Sequence, residues 1–349
     1  MKPQHNPLRG WQVDRAAIRH VGIGLQRPEC VLAQRDGVLW VADARGGVMR
    51  IGADGEQRLI APELANHEAS AAADPSFHER YVLSQGSLPN GLALLANGDF
   101  VIADWGSDAV DVMSPDGRKR RILDRIDGRP LGKANFVLRD SRSRIWLTVT
   151  TQMQPWTDSI NARAKDGYIA VIDERGARIV ADGFEGTNEI RFDAREEWLY
   201  VVESNGRRIS RLRVLPDGEL TGREVYGPSR LAGFPDGFAF DAHGNLWVTL
   251  IMADCLVALT PEGEVLTLLD DGNPRATQRL DRHFEERTMT PEIMAQAAGT
   301  LAPWMASITF GGPDLRTVYL GSLRGTTLPS FRAPVAGLAP IHWNERHTS

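Results

Sequence analysis

Short apolar segments alternate with polar side chains along the whole chain and break at glycine-bearing turns. PECVLAQRDGVLWVAD from Pro28, PNGLALLANGDFVIAD from Pro89 and PDGFAFDAHGNLWVTL from Pro235 share one layout. An oxygen-bearing residue opens an apolar strand, a tight turn follows, and a second strand carries an aromatic side chain. Looser copies begin at Ala134 (ANFVLRDSRSRIWLTV), Thr187 (TNEIRFDAREEWLYVVE) and Ala306 (ASITFGGPDLRTVYLG). The aromatic positions are Trp40, Phe100, Trp146, Tyr200, Trp247 and Tyr319. A period of two, with aromatic and branched residues, predicts strands rather than helices. The turns carry Asp36-Gly37, Asn97-Gly98 and Gly244-Asn245, and a later turn recurs at Asp54-Gly55, Asp116-Gly117, Asp217-Gly218 and Glu262-Gly263. Such pairs favour hairpins because tight turns need positive φ.

Six copies spaced roughly 45–70 residues apart predict an all-β fold, a six-bladed β-propeller with four-stranded blades. The sixth copy lacks a last strand on its C-terminal side. Residues 16–22 are expected to supply it, so that an N-terminal strand closes the last blade. The reading is of a single propeller domain over residues 1–349 with two inserts, 61–87 and 270–305. The second contains TPEIMAQAAGTLAPWM, whose Thr-Pro-Glu start and Ala-rich body predict a short helix. Inserts of this length in compact domains serve as lids or as loops.

Composition narrows the function. The 349 residues carry 40 Lys+Arg against 45 Asp+Glu, a net charge of −5, which argues against a nucleic-acid partner. No apolar run approaches the roughly 20 residues of a membrane span. The N-terminus MKPQHNPLRG shows no apolar signal region, and Cys30 and Cys255 cannot form a disulfide framework, so a reducing, cytoplasmic compartment is expected. The RKRR run at 118–121 reads as a solvated strand edge. No nucleotide-binding glycine motif and no G-x-S-x-G nucleophile motif is found.

Aligned on the aromatic strand, each copy has one oxygen-bearing side chain about eleven residues earlier, a spacing set by one hairpin of short strands. These are Glu29, Asn90, Asn135, Asn188, Asp236 and Ser307. The position opens the innermost strand of each blade, so in a propeller all six converge on one mouth of the central channel. Two carboxylates among several carbonyl oxygens suit a hard cation, Ca²⁺ before Mg²⁺ or Mn²⁺. Zn²⁺ fits less well, because the histidines are scattered and no H-E-x-x-H occurs. Asp43, Asp104 and Glu203, which follow the second strand of their blades, read instead as turn ties.

At these motifs the chain resembles the SMP-30/gluconolactonase/luciferin-regenerating family of six-bladed propellers, from about residue 27 to the end of the fifth copy near residue 269. The resemblance implies a catalytic divalent cation held by Glu29, Asn188 and Asp236, with Asn135 contributing to the metal or the substrate. It also implies Asp236 as general base. Three positions depart from the family pattern: Asn135-Phe136 stands for Asn-Asp, Lys133 for an Arg, and Asn188-Glu189 for Asn-Gly. Lys offers a point charge where Arg offers a fork. Phe136 is expected to make the mouth apolar, with Trp304, Met305 and Phe77 from the inserts as further walls.

The expected function is divalent-metal-dependent hydrolysis of a small-molecule lactone or related ester with an apolar portion. The cation would polarise the carbonyl and Asp236 would take a proton from water, while Asn90, Asn135 and Lys133 orient the substrate and Phe136 and Trp304 wall it in. A metal-dependent isomerase or lyase on the same site is the first alternative, since carbonyl polarisation serves all three reactions. A non-catalytic binding propeller is the second, with Trp105 and Trp156 as candidate partner contacts.

Overall fold

The computed structural model describes residues 6–62 and 86–345. In it, six four-stranded antiparallel sheets form the blades of a six-bladed β-propeller. The innermost strands are Val31–Ala33, Pro89–Leu94, Ala134–Arg139, Thr187–Phe192, Phe234–Phe240 and Met305–Gly311. Each packs against the innermost strands on both sides, which closes the ring. The turn dipeptides behave as their chemistry requires: Gly37 and Gly98 hold φ of 92° and 90°, a region glycine alone enters freely.

Three of the repeated aromatic residues, the tryptophans, tie their hairpins to their own turns. The indole nitrogens of Trp40, Trp146 and Trp247 donate to Gln34 Oε1 (2.8 Å), Asp140 Oδ2 (2.9 Å) and Asp241 Oδ2 (2.9 Å). A buried indole N–H needs such an acceptor, and each of these lies in the turn that precedes it. The acids after the second strands also serve as ties. Asp104 Oδ1 accepts from the backbone N–H groups of Leu88, Gly106 and Ser107, and Glu203 is held by Arg208 and Ser210.

The N-terminal strand forms where the incomplete sixth copy required it. Arg19–Val21 pairs antiparallel with Leu328–Arg332, Val21 opposite Leu328, as the outermost strand of the last blade. Upstream residues add to the closure. Leu8 is fully buried, Val13 N donates to Leu268 O (2.8 Å), and the Trp11 ring lies 5.7 Å from that of Trp247.

One irregularity recurs and places the site. The ladder between innermost and second strand is interrupted at Pro89/Leu92, Ala134/Phe136, Thr187/Ile190, Pro235/Phe238 and Met305/Ile308. The skipped residues include Asn90, Asn135, Asn188, Asp236 and Ser307, so the oxygen-bearing position of five blades sits on a β-bulge. A bulge re-aims a side chain and frees backbone groups from the ladder. Those groups find partners nearby: Phe136 N donates to Thr148 Oγ1 (3.1 Å) and Gly237 N to Thr249 Oγ1 (3.0 Å). The glycines after Asn90 and Asp236 meet a second demand. A Cβ on Gly91 would stand 2.5 Å from Phe136 Cα, and one on Gly237 would stand 2.6 Å from Ala306 O.

The first insert, with Phe77, falls almost wholly outside the described residues. The second contains helices Pro274–Glu285 and Pro291–Gln296, started by Asn273 and Thr290 side chains with proline in the first turn. Its return segment is held by two acids. Asp254 accepts from the backbone N–H groups of Gly299, Trp304 (3.1 Å) and Met305 (2.8 Å), and Asp271 from those of Thr300 and Leu301 (2.6 Å each). No helix among the described residues is long and apolar enough to cross a membrane.

Deleting residues 1–21 should open the last blade and strip Leu8 and Trp11 from the core. Loss of one fully buried leucine already costs about 2–5 kcal/mol. A fall in Tm of about 10 °C or more is expected by scanning calorimetry, and an unchanged Tm would contradict the strand's role as the closure.

Candidate functional site

Five of the six aligned residues, Glu29, Asn90, Asn135, Asn188 and Asp236, line one cavity of about 110 Å³. Ser307 is turned aside, and its hydroxyl donates to the Glu29 carbonyl oxygen. The cavity is therefore the channel mouth at which the innermost strands begin. Each of the five is buried.

Hydrogen bonds orient this floor. Asn90 Nδ2 donates to Asn135 O (2.9 Å), and its Oδ1 accepts from the Arg27 guanidinium. Asn188 Nδ2 donates to Ser204 Oγ (3.1 Å), and that hydroxyl donates to Pro235 O (2.6 Å). With the amide nitrogen engaged, Asn188 Oδ1 is left without a hydrogen-bond donor among the described residues, and so is Asn135 Oδ1. Glu29 Oε2 has an ion pair with Arg27 Nη2 at 3.0 Å. Buried oxygens that lack donors are costly unless a cation or ligand satisfies them.

The electrostatics run the same way. Burial, then the carboxylates of Glu29 and Glu189, pushes the Asp236 carboxyl well above the usual range, with a hydrogen bond from Asn188 pulling it back. Burial likewise raises Glu29, against the opposing pull of Arg27. Two crowded carboxylates with two donor-starved amide oxygens form an all-oxygen set that fits a hard cation. Among the described residues no group of three His, Cys, Asp or Glu side chains could hold a metal. The amides are thus needed to complete the donor count, and the nitrogen-and-sulfur set that zinc favours is missing there.

Besides Ser307, three predicted residues lie elsewhere. Met305, expected as a wall, is buried in the core cluster with Trp247 and Phe310. Lys133 is buried, but its ammonium is held by Asp108 Oδ1 (2.7 Å) and Trp105 O (3.2 Å), behind the lining. Phe136 lines a second cavity of about 290 Å³ further along the channel. The bulge between Ala134 and Phe136 separates it from Asn135 and turns it away from the mouth. The mouth is nonetheless apolar, through other residues. Trp105, Trp156, Phe234, Ile251, Met289 and Trp304 line it above the oxygen floor. Trp105 and Trp156, read from the sequence as surface contacts, form an edge-to-face pair in the lining, with centroids 5.2 Å apart. Trp304, held by a bond from its Nε1 to Ala297 O (2.9 Å), is where the second insert was expected to contribute.

Two charged residues were given no role from the sequence. Arg27 lines the cavity with φ of 53°, a left-handed conformation that costs a non-glycine residue energy and often marks a functional site. Glu189, buried and paired with Arg191 Nη2 at 2.7 Å, has its carboxyl pushed up to about 7 by burial. Its only sequence signal was the acid that stands where related motifs have glycine.

Comparison with known proteins agrees with this architecture. A 6-deoxy-6-sulfogluconolactonase of Pseudomonas putida is 24% identical over 58% of this chain and 60% of its own length. A gluconolactonase of Zymomonas mobilis subsp. mobilis is 23% identical over 53% of this chain and 54% of its own. The chain thus spans little more than half the length of these curated relatives. Regucalcin of Agrobacterium tumefaciens, described as a calcium-binding protein, superposes with a TM-score of 0.62 at 14% identity, over 94% of this chain and 98% of that one. The model of the SMP-30/Gluconolactonase/LRE-like region matches residues 28–278, most of the chain, and the protein belongs to that family.

Proposed function

We propose that the protein hydrolyses a small lactone, or a related ester, in a reaction that depends on a divalent cation. The observation that carries this is the oxygen floor: Glu29, Asn135, Asn188 and Asp236 line one cavity, where Asn135 Oδ1 and Asn188 Oδ1 have no hydrogen-bond donor among the described residues. The lactonase relatives support the substrate class, and the family supports acyl chemistry. Glu29, Asn188 and Asp236 would hold the cation, with Asn135 beside it. When bound, a dication supplies Lewis-acid polarisation of the carbonyl and charge to balance the oxyanion. Calcium is the preferred ion because all donors are oxygens.

The protein's own groups do the rest. Asp236 takes the proton from the attacking water. A bound cation lowers a carboxylate's basicity, but burial and the facing acids raise it, so Asp236 retains proton affinity for this role. The water oxygen bonds to the carbonyl carbon, the acyl–oxygen bond breaks, and the proton passes to the leaving alkoxide. Asn90, fixed by Arg27 and the Asn135 carbonyl, orients the ring. The tryptophans exclude other water and strengthen each charge interaction on the floor.

The test is a screen of lactones and esters with and without chelator, in oxygen-18 water. Turnover should stop with chelator, and the acid product should contain one solvent oxygen. Product without it would place the reaction among isomerisations or eliminations instead. Asp236→Asn keeps the shape and loses the charge, so kcat should fall about a hundredfold or more while the fold persists. Full activity in that variant would remove Asp236 from the base role.

Arg27 and a dication both draw on Glu29. Arg27→Gln should lower the Tm of the cation-free protein by several degrees, since Glu29 is left buried without its ion pair. The same variant should show a larger Tm rise with Ca²⁺ than the native protein. A cation response no larger than native would mean that Arg27 and the cation do not share that carboxylate.

A further inference from the structure

Among the polar side chains of the cavity lining that the hydrolytic reading leaves unused, one has a buried hydroxyl without a partner among the described residues. Ser159 lines the cavity and is only 1% exposed. Its Oγ has no hydrogen-bond partner among the described residues. It stands in the helix Asp158–Ala162, whose other buried residue, Ile160, belongs to the apolar cluster with Met289, Met294 and Trp304. Thioether sulfur accepts hydrogen bonds only weakly, so these neighbours cannot satisfy a hydroxyl. Water is a poor partner as well, since a buried water needs two to four polar contacts and this wall is apolar. Alanine would fill the position at no polar cost and would favour the helix more.

The helix that carries the hydroxyl is also held in place. Asn161 exchanges two hydrogen bonds with the backbone of Met289, Nδ2 to O and N to Oδ1, both 2.9 Å. Arg163 Nη2 donates to Phe284 O (3.0 Å). These bonds lock the short helix to the second insert, so Ser159 faces the cavity from a rigid wall. The floor residues, by contrast, come from the innermost strands. The volume of about 110 Å³ is of the same order as the ~150 Å³ apolar cavity that admits a benzene ring, which leaves room for one small ring between floor and roof.

We propose that Ser159 is a second recognition point, donating a hydrogen bond to an oxygen that the substrate carries on the side of its apolar ring away from the reacting carbonyl. The proposal rests on the lactonase reading for the ring class and adds the position of a required polar atom. A site built to bond a substrate hydroxyl rejects the analogue that lacks it far more strongly than an apolar pocket discriminates by size.

The test uses an isosteric pair, γ-(hydroxymethyl)-γ-butyrolactone and γ-ethyl-γ-butyrolactone, with the native protein, Ser159→Ala and Ser159→Cys. The native protein should prefer the hydroxymethyl compound in kcat/KM by about tenfold or more. Ser159→Ala should abolish the preference by slowing the hydroxymethyl compound alone, and Ser159→Cys, a weak donor of similar shape, should fall between. An equal loss on both compounds, or no loss on either, would overturn the proposal. The corresponding lactams, whose amide bond resists hydrolysis far more than an ester, give a binding readout by calorimetry that stands apart from catalysis. If neither lactone is hydrolysed, the lactonase reading fails. A hydroxymethyl-lactam preference that Ser159→Ala removes would still uphold Ser159 as the recognition point, and no such preference would overturn it.

Discussion

Two carboxylates buried at one end of a channel, Glu29 and Asp236, set the terms for the rest of the molecule. Burial raises the proton affinity of both, and the Glu29 charge raises that of Asp236 further. Something must neutralise them. Within the chain Arg27 meets part of the demand through Glu29, at the expense of a left-handed backbone. In the proposed function a cation, drawn also to the donor-starved oxygens of Asn135 and Asn188, would meet the remainder. A propeller suits such a site because its inner strands bring side chains from distant parts of the sequence to one mouth. The bulges then aim those side chains inward while threonines on the neighbouring strands satisfy the displaced backbone.

Above this floor the chain replaces polarity with aromatic surface. Trp105 and Trp156 come from loops of the second and third blades, and Trp304 from the return of the second insert. Asp254 and Asp271 fix that return by accepting backbone N–H bonds. The insert is thus a built wall whose anchors are acids outside the cavity. An apolar wall facing charged oxygens is the arrangement in which a polarised carbonyl benefits most from low dielectric.

Much of this was legible in the sequence because it depends on local chemistry. Hairpin glycines, the aromatic register and the shared oxygen position each report a short-range requirement. The missing strand of the sixth blade could be assigned to residues near Arg19 because a propeller cannot leave that edge open. What could not be read depends on where a bulge turns the chain. Asn135 and Phe136 are neighbours, yet one lines the mouth and the other a second cavity, and no periodicity rule anticipates a register shift between them. Lys133 resembled a substrate contact, but a partner distant in sequence, Asp108, holds it. Arg27 was missed for the converse reason: an arginine before Pro28 gives no sign of turning inward.

Calcium titration of the chelator-treated protein by calorimetry tests the central claim most directly. One ion should bind per chain, more tightly as pH rises, because the raised proton affinity of Asp236 makes protons compete with the cation. Binding should be lost in Glu29→Gln and Asp236→Asn. Absence of binding in the native protein, or binding of equal strength in those variants, would contradict the account.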